Sequence, residues 1–117
     1  MLTMPDNDKW YSIKVEAIVS LLSCNESGRK IGITSGYRPN HNFGGPDNNE
    51  MRIGQISVEN DEWIKPGESK VVKIHFIMPE GYVIDLFQGL TWRIQEGGRL
   101  VGNGNITKVI SSDVPVN

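Results

Sequence analysis

Hydrophobic and polar positions begin to alternate at Trp10. Ile13, Val15, Ala17, Val19 and Leu21 fall on one face of an extended segment, and Lys14, Glu16 and Ser20 fall on the other. Such a period of two marks a half-buried strand, with Ile18 out of step. The run 24–28 is a turn by composition, and 29–33 reads as a short strand. Residues 37–43 read as extended, with Pro39 pointing to an edge or a bulge. A Gly- and Asn-rich loop at 44–49 precedes a strand at 51–58, and Pro66-Gly67 marks the next turn. The alternation returns at 71–78, with Val72, Ile74 and Phe76 on one face and Lys73 and His75 on the other. A connection runs from 79 to 89. Leu90, Trp92 and Ile94 then form an inward stripe opposite Thr91, Arg93 and Gln95. The turn Glu96-Gly97-Gly98-Arg99 leads through Leu100 and Val101 to a last strand at 105–110. Residues 1–9 read as a loose N-terminal segment and 111–117 as a tail. No window has the period of a long amphipathic helix. Short strands separated by turn signals predict an all-β antiparallel sandwich or barrel, and a closed barrel leaves no free edge.

Composition narrows this picture without changing it. A chain of 117 residues, 38% of them hydrophobic, can bury one core. Thirteen glycines and six prolines fit many turns. With 12 Lys and Arg against 14 Asp and Glu the net charge is −2, which gives no overall footprint for nucleic acid but leaves room for a local basic patch. Cys24 is the one cysteine, which excludes an intrachain disulfide; it is expected to be a half-buried thiol in a reducing compartment. No apolar run approaches the ~20 residues of a membrane span. The N-terminus lacks a basic start followed by an apolar stretch. The expectation is a cytoplasmic protein with no membrane partner.

Candidate chemistry is sparse. Two histidines and one cysteine give no metal-ligand spacing, so neither a metal nor a cofactor is expected. The turn at 96–99 lacks the Gly-Lys-Ser/Thr ending and following helix of a phosphate loop, so no nucleotide is expected. Nothing local builds an oxyanion site beside Cys24, and the chain is not expected to be an enzyme. Arg38 and Arg99 read as donors to turn carbonyls, with ligand contact as the alternative. Glu59, Asp61 and Glu62 read as a solvated loop, with a weak cation site or a basic partner as the alternatives. Most of Trp10, Trp63, Trp92, Tyr82 and Phe87 are expected in the core, Trp92 above all. Tyr82 and Phe87 lie in a connection, where exposure would mark a protein-contact patch.

Three motifs in order carry a resemblance. They are Gly36-Tyr37-Arg38-Pro39, Lys65-Pro66-Gly67-Glu68, and Leu90 through Arg99 running on into Val101-Gly102. Over residues of about 13 to 110 the chain resembles the C-terminal β-barrel, the third domain, of bacterial translation elongation factor Tu. The resemblance implies an antiparallel β-barrel of six or seven strands spanning 10–110. On this reading the barrel stands alone, apart from the GTPase it would normally close. The family's third domain touches the T stem of aminoacyl-tRNA, and position by position this implies RNA contacts at Arg29, Lys30, Asn40, Glu96 and Gly97. Asn40 stands where the family has Gln, and Lys30 where it has His. Larger departures are Ile33 and Thr34 in place of two aromatic residues, Arg93 in place of a small residue facing the GTPase domain, and Gln95 in place of Arg. The stretch 78–88, with Tyr82 and Phe87, is longer and more apolar than its counterpart.

The expected function is a non-catalytic protein-binding module, with Tyr82, Phe87 and Arg93 at the contact. A concrete form is an immunity- or antagonist-type protein that acts by resembling elongation factor Tu. The alternatives are a tRNA- or RNA-binding module and a fragment of a translation factor.

Overall fold

A computed structural model describes residues 9–115. Six strands form the fold: β1 (Trp10–Leu21), β2 (Asn40–Asn42), β3 (Arg52–Val58), β4 (Ser69–Pro79), β5 (Thr91–Glu96) and β6 (Arg99–Ser112). They close into a barrel in the order β1-β4-β3-β2-β5-β6, and every pairing is antiparallel. The alternation in β1 and β4 becomes the barrel wall. Ile13, Val15, Ala17, Val19 and Leu21 face inward and are buried, as are Val72, Ile74 and Phe76. Trp92 and Ile94 join them from β5, whereas Leu90 only packs against the core's margin.

An aromatic cluster fills the middle. The Phe43 ring stacks on Trp92 with centroids 5.2 Å apart, and Phe76 meets Trp92 edge-on at 6.0 Å. Two glycines make room for these rings. A Cβ on Gly54 would sit 2.7 Å from the Phe76 ring, and one on Gly104 would enter the ring of Trp92. His41 is fully buried here. Its Nε2 lies 2.9 Å from the carbonyl oxygen of Gly54, and Trp92 Nε1 donates to its Nδ1 at 3.0 Å. A carbonyl only accepts, so Nε2 carries the proton and Nδ1 is free to accept. Burial pushes the His41 pKa down to about 4, against the smaller opposing pull of the Gly54 carbonyl.

Several local expectations are corrected. Residues 29–33 form no strand; Ile33 makes a single bridge to Ile64. The run after Ser23 is one helical turn, α1 (Cys24–Ser27), in which Ser23 and Glu26 form a capping box and Gly28 ends the turn at φ +74°. Only Asn40–Asn42 of the expected 37–43 segment enters the sheet, between β3 and β5, so this strand is not an edge. Pro39 stands just before it, where a missing N–H removes no ladder bond. β6 runs past the expected end at Ile110, with Ser111 and Ser112 paired to Lys14 and Ile13. Gln95, expected to be exposed, is buried, because its side chain lies among Asn42, Arg93 and the Gly97 carbonyl and is hydrogen-bonded to all three. Trp10 and Trp63 are exposed rather than core residues, and the Cys24 thiol is exposed rather than half-buried. The expected loose segment at 1–9 lies, apart from Lys9, outside the described residues, as do 116 and 117.

Candidate functional site

The β5–β6 hairpin gathers charge at one end of the barrel. Glu96 closes β5 and is the hub. One carboxylate oxygen, Oε2, accepts from the Tyr37 hydroxyl at 2.8 Å and from Arg29 Nη1; the other accepts from Arg99 Nη2 at 2.8 Å. Arg29 is delivered by the end of α1, where the Ser27 hydroxyl accepts from its backbone N–H at 3.0 Å. Its guanidinium lies 5.1 Å from the centre of the Tyr37 ring, and its Nη2 donates to the Gly32 carbonyl at 3.3 Å. Its Nε is buried with no partner among the described residues. Tyr37 is placed by a single bridge to Ile56. Gly97 turns the hairpin at φ +61°, a conformation that costs a side-chain-bearing residue more than Gly.

The electrostatics follow from this packing. Burial alone would raise the Glu96 carboxyl, but the hydrogen bonds from Tyr37 and Arg99, with the charge and hydrogen bond of Arg29, outweigh it and hold it below the usual carboxylate range. Burial raises the Tyr37 phenol, and its hydrogen bond to the Glu96 carboxylate and that group's charge raise it further. The phenol therefore stays a donor.

Of the residues that the resemblance implied for RNA, Arg29, Glu96 and Gly97 meet in this network. Asn40 pairs through its backbone with Gln95, one residue from Glu96, and Lys30 follows Arg29 in an exposed position. The five thus share one end of the barrel. Arg29 is already neutralised by Glu96, so Lys30 is the outward cation of the set. Sequence reasoning missed Tyr37 as the network's third donor. It placed Arg99 on turn carbonyls, whereas Arg99 binds the Glu96 carboxylate, and Arg38 Nε and Nη2 donate to the Gln55 side chain at 2.9 and 2.7 Å.

The opposite end of β1 carries a second surface. Tyr82 is 56% exposed, its backbone N–H donates to Pro79 at 3.0 Å, and its carbonyl accepts from Arg52 Nε at 3.0 Å. Trp10, Met51, Ile53, Ile77, Pro79 and Tyr82 line an apolar depression of about 300 Å³. Phe87 is 55% exposed in the turn that Leu90 N–H closes on its carbonyl at 3.1 Å. Arg93 lines a different depression, of about 650 Å³, on the β1–β6–β5 wall, and its Nε donates to Gln95 Oε1 at 3.1 Å. Tyr82 and Arg93 therefore belong to separate surfaces. Ile53 and Ile77 were not singled out from the sequence, and Trp10 was grouped with the aromatic residues expected mostly in the core. Strand parity could have found Ile53, because Gly54, Ile56 and Val58 claim the inward face of β3.

Among the described residues, no group of three His, Cys, Asp or Glu side chains is placed to hold a metal, and no helix is long and apolar enough to cross a membrane. The closed six-stranded barrel, the Gly-Gly hairpin and the Pro-Gly turn agree with a comparison of the whole sequence. Residues 11–110 match the family described as the elongation factor Tu C-terminal domain, and the chain belongs to that family.

Proposed function

We propose that this barrel is a non-catalytic, translation-factor-like module that docks on a protein partner through the apolar end around Tyr82. The observation that carries the reading is the exposure there of Trp10 (46%), Ile53 (56%) and Tyr82 (56%) beside Ile77, all bordering one apolar depression. Large apolar side chains clustered on an otherwise polar surface mark contact sites, and aromatic anchors dominate the energy of such contacts. A specific form of this function is antagonism by mimicry, in which the barrel occupies a partner of elongation factor Tu. Family membership supports that form. The test is addition of the purified protein to a reconstituted translation reaction, with capture of the bound component. Inhibition relieved by Trp10→Ala with Tyr82→Ala, at unchanged melting temperature, is the expected result. Capture unaffected by the double substitution moves the contact to another face.

A second reading, RNA contact at the hairpin end, is favoured by the convergence of Arg29, Lys30, Asn40, Glu96 and Gly97. Lys30→Ala should then weaken tRNA binding and lower its salt dependence by about one counterion. Absence of tRNA binding at low salt sinks this reading.

A further inference from the structure

Basic residues outnumber acidic ones on the barrel strands. The strands contain two acidic residues, Glu16 and Glu96; the remaining described acids lie on loops and short helical turns. On the outer face of β1–β4–β3 the register sets Lys14 opposite His75 and His75 opposite Gln55. One row along, Lys73 stands between Glu16 and Ser57. Directly opposed side chains on a sheet lie ~5 Å apart at Cβ and diagonal ones ~7–8 Å, so Lys73 faces Glu16 across the pair, whereas Lys14 faces no acid, with His75 on one side and Ser111 on the other. Among the described residues neither Lys14 nor Lys73 forms an ion pair. Glu16, the nearest acid, has its Oε2 within 3.1 Å of the donating Thr107 hydroxyl. His75 Nε2 lies 2.5 Å from the Ser12 hydroxyl oxygen. With that hydroxyl as donor, Nδ1 carries the ring proton and is itself a donor.

Lys14, Gln55, Ser57, Lys73 and His75 line one depression of about 440 Å³, with Ile74 and Ile110 as its apolar parts. We propose that this depression binds a phosphate group, with Lys14 and Lys73 supplying charge and His75, Gln55 and Ser57 supplying hydrogen bonds. Donors converging from three strands suit a tetrahedral anion. A planar carboxylate is better met by an Arg fork, and the neighbouring Arg38 is already engaged with Gln55. The depression exceeds a lone phosphate, so the group arrives either as a monoester on a larger molecule or as part of a polyphosphate chain. The site lies on the wall away from the hairpin network, and it adjoins the Tyr82 surface, since Ile53 and Ile77 stand one row along from Gln55 and His75.

The experiment titrates the full chain with inorganic phosphate and with pyrophosphate against sodium chloride at matched ionic strength, reading amide NMR shifts and melting temperature. Phosphate stabilises many proteins by exclusion from their surface, so the melting shift counts only as a difference from a variant. Saturable shifts centred on residues 14, 55, 73 and 75 are expected. Lys14→Gln with Lys73→Gln should weaken binding by roughly tenfold or more, the worth of a charged hydrogen bond, and should cancel the excess melting shift. Pyrophosphate binding much tighter than phosphate identifies a polyphosphate chain, and equal binding identifies a monoester. Should the double variant unfold, Ser57→Ala serves instead, because Ser57 is exposed. Non-saturable shifts, shifts centred elsewhere, or binding unchanged in the variants overturns the proposal.

Discussion

His41 is the residue with the sharpest physical consequence. Its neutral form bridges the Gly54 carbonyl and the Trp92 indole, and a second ring proton would face the Trp92 N–H. In the folded barrel its pKa is about 4, against an ordinary 6.5. The unfolded chain takes up the proton as pH falls through 6.5, and the folded barrel resists until about 4. Stability is therefore complete above the unfolded value and falls in the window between the two. The slope is about 1.4 kcal/mol per pH unit and the total about 3 kcal/mol. Urea denaturation at pH 7, 6, 5 and 4.5 should show this loss. His41→Phe should lower stability at pH 7, because it strands a buried carbonyl and a buried indole N–H, and should flatten this part of the pH slope. An unchanged slope in the variant would assign the pH dependence to other groups.

Glu96 is the corresponding hub at the surface. Glu96→Gln removes the charge that holds Arg29 and Arg99 together and leaves two guanidinium groups facing each other beside Tyr37. The hairpin end should become more positive and less ordered. If RNA binds there, Glu96→Gln should strengthen binding at low salt while lowering the melting temperature by a few degrees, and a filter-binding series with a thermal melt checks both. Weaker binding would mean that the carboxylate itself touches the ligand.

Elements differ in how plainly the sequence announces them. β1 and β4 were legible because their inward and outward residues separate cleanly by hydrophobicity. β2 was not, because its buried residues are His41 and Asn42, polar side chains whose partners come from β3, β5 and the 44–48 loop. The burial of Gln95 left no mark in the pattern either, since Gln is an ordinary outward residue until polar neighbours such as Asn42 cover it. Trp10 was misassigned for a related reason: its parity in β1 is outward, but its size suggested core. The hairpin end was legible through its motif, and the apolar end was legible only at Tyr82 and Phe87. Glycine adds a test at this scale. Gly104 in β6 lies against the Trp92 ring, so Gly104→Ala must displace the largest inward side chain of β5. Overpacking of this kind costs about 1–3 kcal/mol. Gly97→Ala costs backbone strain alone, since nothing lies within 4 Å of the added methyl. The expected order of destabilisation in chemical denaturation is Gly104→Ala above Gly97→Ala; the reverse order would show that Trp92 has room to move.

At the scale of the whole molecule, the barrel has one weak seam. β1 pairs with β4 and β6 along most of its length, whereas β2 aligns two residues with β3 and three with β5. So short a ladder cannot close the barrel by backbone bonding alone. Buried polar side chains reinforce it: His41 ties β2 to Gly54 of β3 and to Trp92 of β5, and Asn42 Nδ2 donates to Gln95 Oε1 at 2.7 Å. Opening at β2 would convert the closed barrel into an open sheet without disturbing β1, β4 or β6, which makes it the lowest-energy partial unfolding available. Hydrogen exchange at neutral pH should show amides of 40–42 and 52–54 exchanging before those of 15–19 and 72–76. Protonating His41 breaks one of these three side-chain ties, the bond from Trp92, so protection factors at the seam, corrected for intrinsic rates, should fall further between pH 6.5 and pH 4.5 while those of β1 and β4 fall only with global stability. Uniform loss of protection across all six strands would show that the barrel opens as one unit and that the seam is no weaker than the rest.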